Sequence, residues 1–154
     1  RLYSTSSEKI KLQKNMCSPK IIKGNSYTDQ RGILNYNNLF NASAIKRIYI
    51  IENSSTKIFR GWQGHKIQQR WFSAVQGSFR IKLIEIDDWN SPSKSLACKE
   101  IKLEAKKLDV LHIPQGYVSC IQAIENNSKL LVMADHSIDE IKDEYRYDLD
   151  YFYN

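Results

Sequence analysis

Long apolar runs, paired cysteines, proline and glycine are all scarce in this chain of 154 residues. No run approaches the roughly 18 apolar residues that a bilayer-crossing helix needs, so no membrane span is expected. Three prolines and six glycines are too few for a collagen-like or low-complexity chain. The three cysteines, Cys17, Cys98 and Cys120, are odd in number, far apart and without a CxxC pair. Neither a disulfide framework nor a structural zinc site is expected. No basic stretch followed by an apolar one opens the chain. No secretory signal is therefore expected, and the cytoplasm is the expected compartment. In that compartment Asn41-Ala42-Ser43, Asn53-Ser54-Ser55 and Asn126-Asn127-Ser128 are chance matches to the glycosylation pattern.

What is present suits one globular domain. The chain is 42% hydrophobic and 26% charged, long enough to bury a core of its own. Its formal charge is +6. A nucleic-acid binder concentrates such charge in a patch or stripe. Here the lysines are scattered from Lys9 to Lys107, and the stretch from Asp139 to Asp150 is acidic. No nucleic-acid partner is expected; the residual pull is toward small anionic ligands such as phosphates.

Residues 1–15 carry no apolar periodicity and read as a flexible end. From Ile21 onward the texture becomes short apolar runs separated by turn residues. Ile33-Leu34, Ile45 to Ile51, Trp71 to Val75, Phe79 to Ile86, Cys98 to Leu103, Asp109 to Ile113, Val118 to Ile124 and Lys129 to Ala134 read as strands. In Phe79 to Leu83 the alternation is strict, with Phe79, Ile81 and Leu83 on one face and Arg80 and Lys82 on the other. Short strands at regular spacing predict an all-β sandwich or barrel over residues 16–154. One segment, Ile138 to Tyr147, reads as a short C-terminal helix with Ser137 as cap and Glu140 completing a capping box.

Arg60-Gly61-Trp62-Gln63-Gly64-His65-Lys66, followed by Gln68, Gln69, Arg70 and Trp71, is too polar for an ordinary strand pair. Burying charges of one sign without partners is expensive. Either these groups sit in a wet barrel mouth, or they line a cavity in which Arg60 and Arg70 meet anionic groups of a ligand. Ile113-Pro114-Gln115-Gly116-Tyr117-Val118-Ser119 contains a tight turn between strands. His112, alternating with Val110, reads as a satisfied core histidine. The tyrosine-rich tail from Asp143 to Phe152 reads as packing against the barrel or a partner, with a lid as the other reading.

In this order these pieces resemble the cupin superfamily of small jelly-roll barrels. Its first motif runs Gly, His-x-His, Glu, Gly, and its second is Pro-x-Gly-x-x-His. Here Gln63-Gly64-His65 stands at His-x-His, Arg70 at the Glu, Gly77 at the closing Gly and Ser119 at the last His. Metal-binding cupins use three His and one Glu. At those positions this chain offers one imidazole and a permanent cation, so no metal or other cofactor is expected.

Within the superfamily the chain is similar to metal-free nucleotide-sugar enzymes, the dTDP-4-dehydrorhamnose 3,5-epimerases and, more closely, the WxcM-like dTDP-4-keto-6-deoxyhexose 3,4-ketoisomerases. Asp29-x-Arg31-Gly32-x-Leu34, Ile45-Lys46-Arg47-x-Tyr49, Arg60-Gly61-x-x-x-His65-Lys66, Gly77-Ser78, Ala134-Asp135 and the aromatic tail carry this similarity from about Ser18 to Phe152. The resemblance implies a homodimer binding a nucleotide sugar inside the barrel. It places Arg60 at the diphosphate or sugar and His65 beside the sugar as proton shuttle. Gln63 departs from both groups, which carry His there. Gln cannot exchange a proton near neutral pH, so it can only orient or polarise a carbonyl.

His65 is then the expected proton carrier, with Gln63 and Tyr117 beside it. Arg47, Tyr49, Arg60, Trp62, Arg70, Trp71 and Ser119 are the expected binding residues. Trp62, Trp71 and Tyr117 suit stacking on a base or sugar, and packing within the barrel equally well. The second reading is a cupin that kept the pocket, lost catalysis at Gln63 and Ser119, and serves as a sensor or accessory module.

Overall fold

A computed structural model describes residues 5–7 and 18–153. The flexible end expected over 1–15 and Cys17 lie outside the described residues, apart from 5–7. Among the described residues twelve strands follow one another: β1 (Lys20–Ile22), β2 (Asn25–Asp29), β3 (Gly32–Tyr36), β4 (Arg47–Ile51), β5 (Phe59–His65), β6 (Arg70–Gln76), β7 (Ser78–Glu85), β8 (Cys98–Glu104), β9 (Val110–Ile113), β10 (Tyr117–Ala123), β11 (Lys129–Ala134) and β12 (Tyr145–Arg146). Every pairing is antiparallel. Two five-stranded sheets, β1-β9-β6-β11-β4 and β12-β5-β10-β7-β8, face each other, and β2-β3 forms a separate hairpin. This is an all-β barrel, as the strand spacing predicts, and the jelly-roll that the cupin resemblance implies.

One end of the barrel is plugged and the other is open. Phe79, Ile81 and Leu83 of β7 turn inward, as their alternation requires, onto Phe72, Leu103, Leu111, Ile121, Leu130 and Val132. Those side chains fill the interior at that end. The cavity is lined instead by Arg70 of β6, by Tyr117 and Ser119 of β10, and by Arg60 and His65 of β5, a strand that adds nothing to that apolar cluster, so the interior is polar there.

The outer face of the second sheet is also buried. Trp62, Ile84, Ile86, Val118 and Cys120 form a layer there, covered by Phe152 and backed by Trp89, Tyr147 and Tyr151. The Tyr147 hydroxyl donates to the Trp89 carbonyl at 2.6 Å, and the Tyr151 hydroxyl to the Pro92 carbonyl at 2.7 Å. The tyrosine-rich tail thus packs against the barrel.

The helix expected over Ile138 to Tyr147 does not form. Half of the capping box exists: the Ser137 amide donates to the Glu140 carboxylate at 2.7 Å. The chain then turns once and runs out extended, so that Tyr145 and Arg146 of β12 pair with Gly64 and Gln63 of β5. Local capping propensity loses to completion of a sheet edge, which satisfies β5 backbone groups that a helix would leave open.

Candidate functional site

β5 carries most of the site, and its backbone is irregular for a reason. Against β10, Gln63 lies opposite Ser119 and His65 opposite Tyr117, but Arg60 lies opposite Ile121. Two residues of β5, Gly61 and Trp62, therefore face Cys120 alone. This bulge reverses the alternation between Arg60 and Gln63. Arg60, Gln63 and His65 all reach the cavity, and Trp62 turns outward into the aromatic layer. The close approach needs glycine: a Cβ on Gly61 would sit 2.7 Å from the Cys120 Cα, and one on Gly64 2.1 Å from the Tyr117 carbonyl oxygen.

The cavity at the open end has a volume of about 1120 Å³. It is ample for a nucleotide-sized ligand. Arg47, Tyr49, Arg60, Gln63, His65, Arg70, Tyr117 and Ser119 line it. Trp62 and Trp71 do not. Trp62 belongs to the layer under the tail, and Trp71 lies on the outer face of the other sheet, stacked on His112 at 4.9 Å. His112 is satisfied, as expected, with Nε2 at 2.7 Å from the Gln69 Oε1, but it is half-buried on this outer face rather than in the core.

Arg70 enters from β6, at the deep side of the cavity, and is only 8% exposed. Its Nη1 donates to Gln68 Oε1 and to the Gln69 carbonyl, both at 3.1 Å. Those acceptors are neutral, and among the described residues no carboxylate forms an ion pair with it. A buried guanidinium is ordinarily paired with an anion. Nearer the mouth, Arg60 is exposed and its Nε donates to Asn53 Oδ1 at 2.8 Å, which leaves the outer fork of the guanidinium for a ligand. The Arg47 guanidinium lies 4.6 Å from the Tyr49 ring centroid.

His65 is 9% exposed. Burial first, then the Arg70 guanidinium, push its proton off below the usual imidazole range, against the opposing pull of the Asp143 carbonyl. Its Nδ1 is 2.7 Å from that carbonyl. Gln63 donates from Nε2 to the Glu144 carboxylate. The Arg146 guanidinium, bonded to Glu144 at 2.8 Å, holds that carboxyl below the ordinary range.

Asn53, Asp143 and Glu144 escape the sequence reading as site residues. Asn53 sits inside a glycosylation-like triplet, and the acidic pair falls within the segment that reads as a helix. Their one signal is position: a polar tail after the last strand of a barrel has the open rim as its nearest unfinished edge.

An antiparallel jelly-roll, apolar at one end and cationic at the other around a single imidazole, defines a small-molecule-binding cupin barrel. The sequence profile of the WxcM-like, C-terminal family matches residues 17–154, and the chain belongs to that family. No curated protein is similar enough in sequence to match. Among solved structures, the chain is similar to the 3,4-ketoisomerase QdtA from Thermoanaerobacterium thermosaccharolyticum, a variant of which is bound to TDP-4-keto-6-deoxyglucose. Identity is 25% and the TM-score 0.66, over 84% of this chain and 88% of that one. A 3,4-ketoisomerase from Helicobacter canadensis is 26% identical with a TM-score of 0.61, over 79% and 86% of the two chains. The dTDP-4-dehydrorhamnose 3,5-epimerase of Bacillus anthracis shares the fold at a TM-score of 0.66 and 13% identity, over 81% and 76%.

Proposed function

We infer that this protein is an isomerase of a nucleoside-diphospho 4-keto-6-deoxy sugar, working by proton transfer at His65. The observation that carries the reading is the buried Arg70, hydrogen-bonded to neutral acceptors and sharing the cavity with the buried His65. That pair suits a reaction in which a proton leaves carbon and negative charge appears on a neighbouring oxygen. The imidazole takes the proton from the ring carbon beside the ketone. The C–H electron pair moves toward the keto oxygen, and an enediolate results. The Arg70 guanidinium stabilises that oxygen. Return of the proton to the former keto carbon, with transfer of the hydroxyl proton between the two oxygens, gives the 3-keto isomer. Return to the same carbon from the other side gives an epimer. Similarity to ketoisomerases at 25–26% identity supports the first outcome.

Arg60 and Arg47, nearer the mouth, suit the diphosphate. Gln63, Tyr49, Tyr117 and Ser119 supply hydrogen bonds to the sugar. Gln63, Arg70 and Ser119, standing where metal cupins keep ligands, do not fit a divalent cation. Thermal denaturation with dTDP tests the ligand class. A nucleotide at about a hundred times its Kd adds about 2.7 kcal/mol of apparent stability, and Arg60→Ala should remove most of the shift. No shift with dTDP, UDP or GDP would contradict the reading.

The same reading makes the protein a homodimer. Among the described residues the β2-β3 hairpin pairs only with itself, and Tyr27, Ile33 and Leu34 on it are exposed. A lone two-stranded hairpin is marginal in water. β4 ends its sheet with Ile48 and Ile50 exposed at 66% and 57%. Apolar edges of this kind invite strand pairing unless covered. Light scattering should give twice the chain mass, and the doubly substituted Ile48→Lys, Ile50→Lys protein should give the monomer. A monomeric parent protein would refute the dimer.

A further inference from the structure

Asp143 touches both His65 and the turn that follows it. Its main-chain carbonyl lies 2.7 Å from His65 Nδ1. Its side chain accepts three successive backbone amides: Lys66 at 2.9 Å on Oδ1, and Ile67 at 2.8 Å and Gln68 at 2.7 Å on Oδ2. Successive amides converging on one point form an anion-binding nest, and here an internal carboxylate fills it. Asp143 is 4% exposed, so this clamp is shielded from competing water. The turn it closes leads directly from His65 to Gln68, the side chain that accepts from Arg70.

We propose that Asp143 is the positioning residue of the site: it fixes His65 as the Nδ1–H tautomer and thereby makes Nε2 the nitrogen that exchanges protons with the ligand. The proposal rests on the isomerase reading for its chemistry but not for its geometry. A carbonyl oxygen can only accept, so the ring nitrogen facing it must carry the proton. In the neutral ring the lone pair then belongs to Nε2. A free imidazole prefers the opposite tautomer, which would put its lone pair on the wrong nitrogen. The three amide bonds explain why an aspartate holds this position. Any residue supplies a carbonyl, but only a short carboxylate acceptor also anchors that carbonyl to the turn beginning at Lys66.

The test is nitrogen NMR on the full chain with labelled histidine, without substrate. His65 should show a proton on Nδ1 and a lone pair on Nε2. The parent protein alone can overturn the proposal, by showing the proton on Nε2. In Asp143→Ala the ring should shift toward a tautomer mixture, with Asp143→Asn between the two. On substrate, Asp143→Ala should lose about 10- to 100-fold in kcat with KM within about twofold, as expected when a reacting group is misaligned. An unchanged tautomer with unchanged kcat in Asp143→Ala would also overturn it. Should that variant not fold, the parent spectrum and Asp143→Asn still decide. A correct tautomer with no turnover of any nucleotide 4-keto sugar would sink the isomerase reading alone. Turnover with the proton on Nε2 would sink the positioning role alone.

Discussion

Arg70→Met is expected to lower kcat by about 10²- to 10³-fold, the usual cost of removing one donor to a developing oxyanion. The same substitution should leave the melting temperature of the free protein unchanged or higher. The two effects have one cause. In the free protein the guanidinium lies in the interior without an ion-paired carboxylate, so its burial costs free energy that Met would not incur. In the reaction it faces charge that appears only as the proton leaves carbon. Binding of dTDP alone should change little, because Arg60 and Arg47, not Arg70, stand nearer the mouth. A variant that loses stability and keeps its turnover would show that Arg70 is a structural group.

His65→Asn removes the one cavity imidazole and should cost about 10²- to 10⁴-fold in kcat, the range of general acid–base catalysis. The pH dependence should carry its signature. His65 releases its proton below the ordinary 6.5, driven by burial and by Arg70 and opposed by Asp143 and Glu144. A base with a lowered pKa stays neutral, and therefore competent, to lower pH. The parent kcat/KM should hold level as pH falls through 6.5 and decline only below it, through one protonation. The residual rate of His65→Asn should lack that limb. A parent profile whose limb lies above 6.5, or a limb that survives in His65→Asn, would assign the base elsewhere.

How much of this was legible in the sequence follows from where each residue takes its instructions. β7 was plain because Phe79, Ile81 and Leu83 alternate with Arg80 and Lys82, and a half-buried strand needs nothing else. The polar set on β5 and β6 announced an unusual interior because Arg60, Gln63, His65 and Arg70 are too many for a packed core. Which face each one takes was not legible. The bulge at Gly61-Trp62 depends on a register with β10, and it moves Trp62 out of the cavity that simple alternation would give it. Trp71 is likewise an outer-face residue, settled by its stack on His112 across the β6-β9 pairing.

The tail shows the limit most clearly. Ser137 and Glu140 make the capping contact that the sequence promises, yet the helix stops there because β5 lacks a neighbour on that side. A long-range edge outweighs a local cap. Asp143 and Glu144 become site residues through that pairing and through nothing in their own neighbourhood. Asn53 is similar: its role at Arg60 is set by a contact between the segment after β4 and β5.

The most direct test of the account is made in heavy water, with TDP-4-keto-6-deoxyglucose and the purified protein, followed by proton NMR of the ring. Deuterium should appear on the former keto carbon as the 3-keto sugar forms, and His65→Asn should abolish both. Tight occupancy of the barrel by the nucleotide sugar with every ring proton retained would mean that the imidazole moves nothing, and that the protein holds its ligand without transforming it.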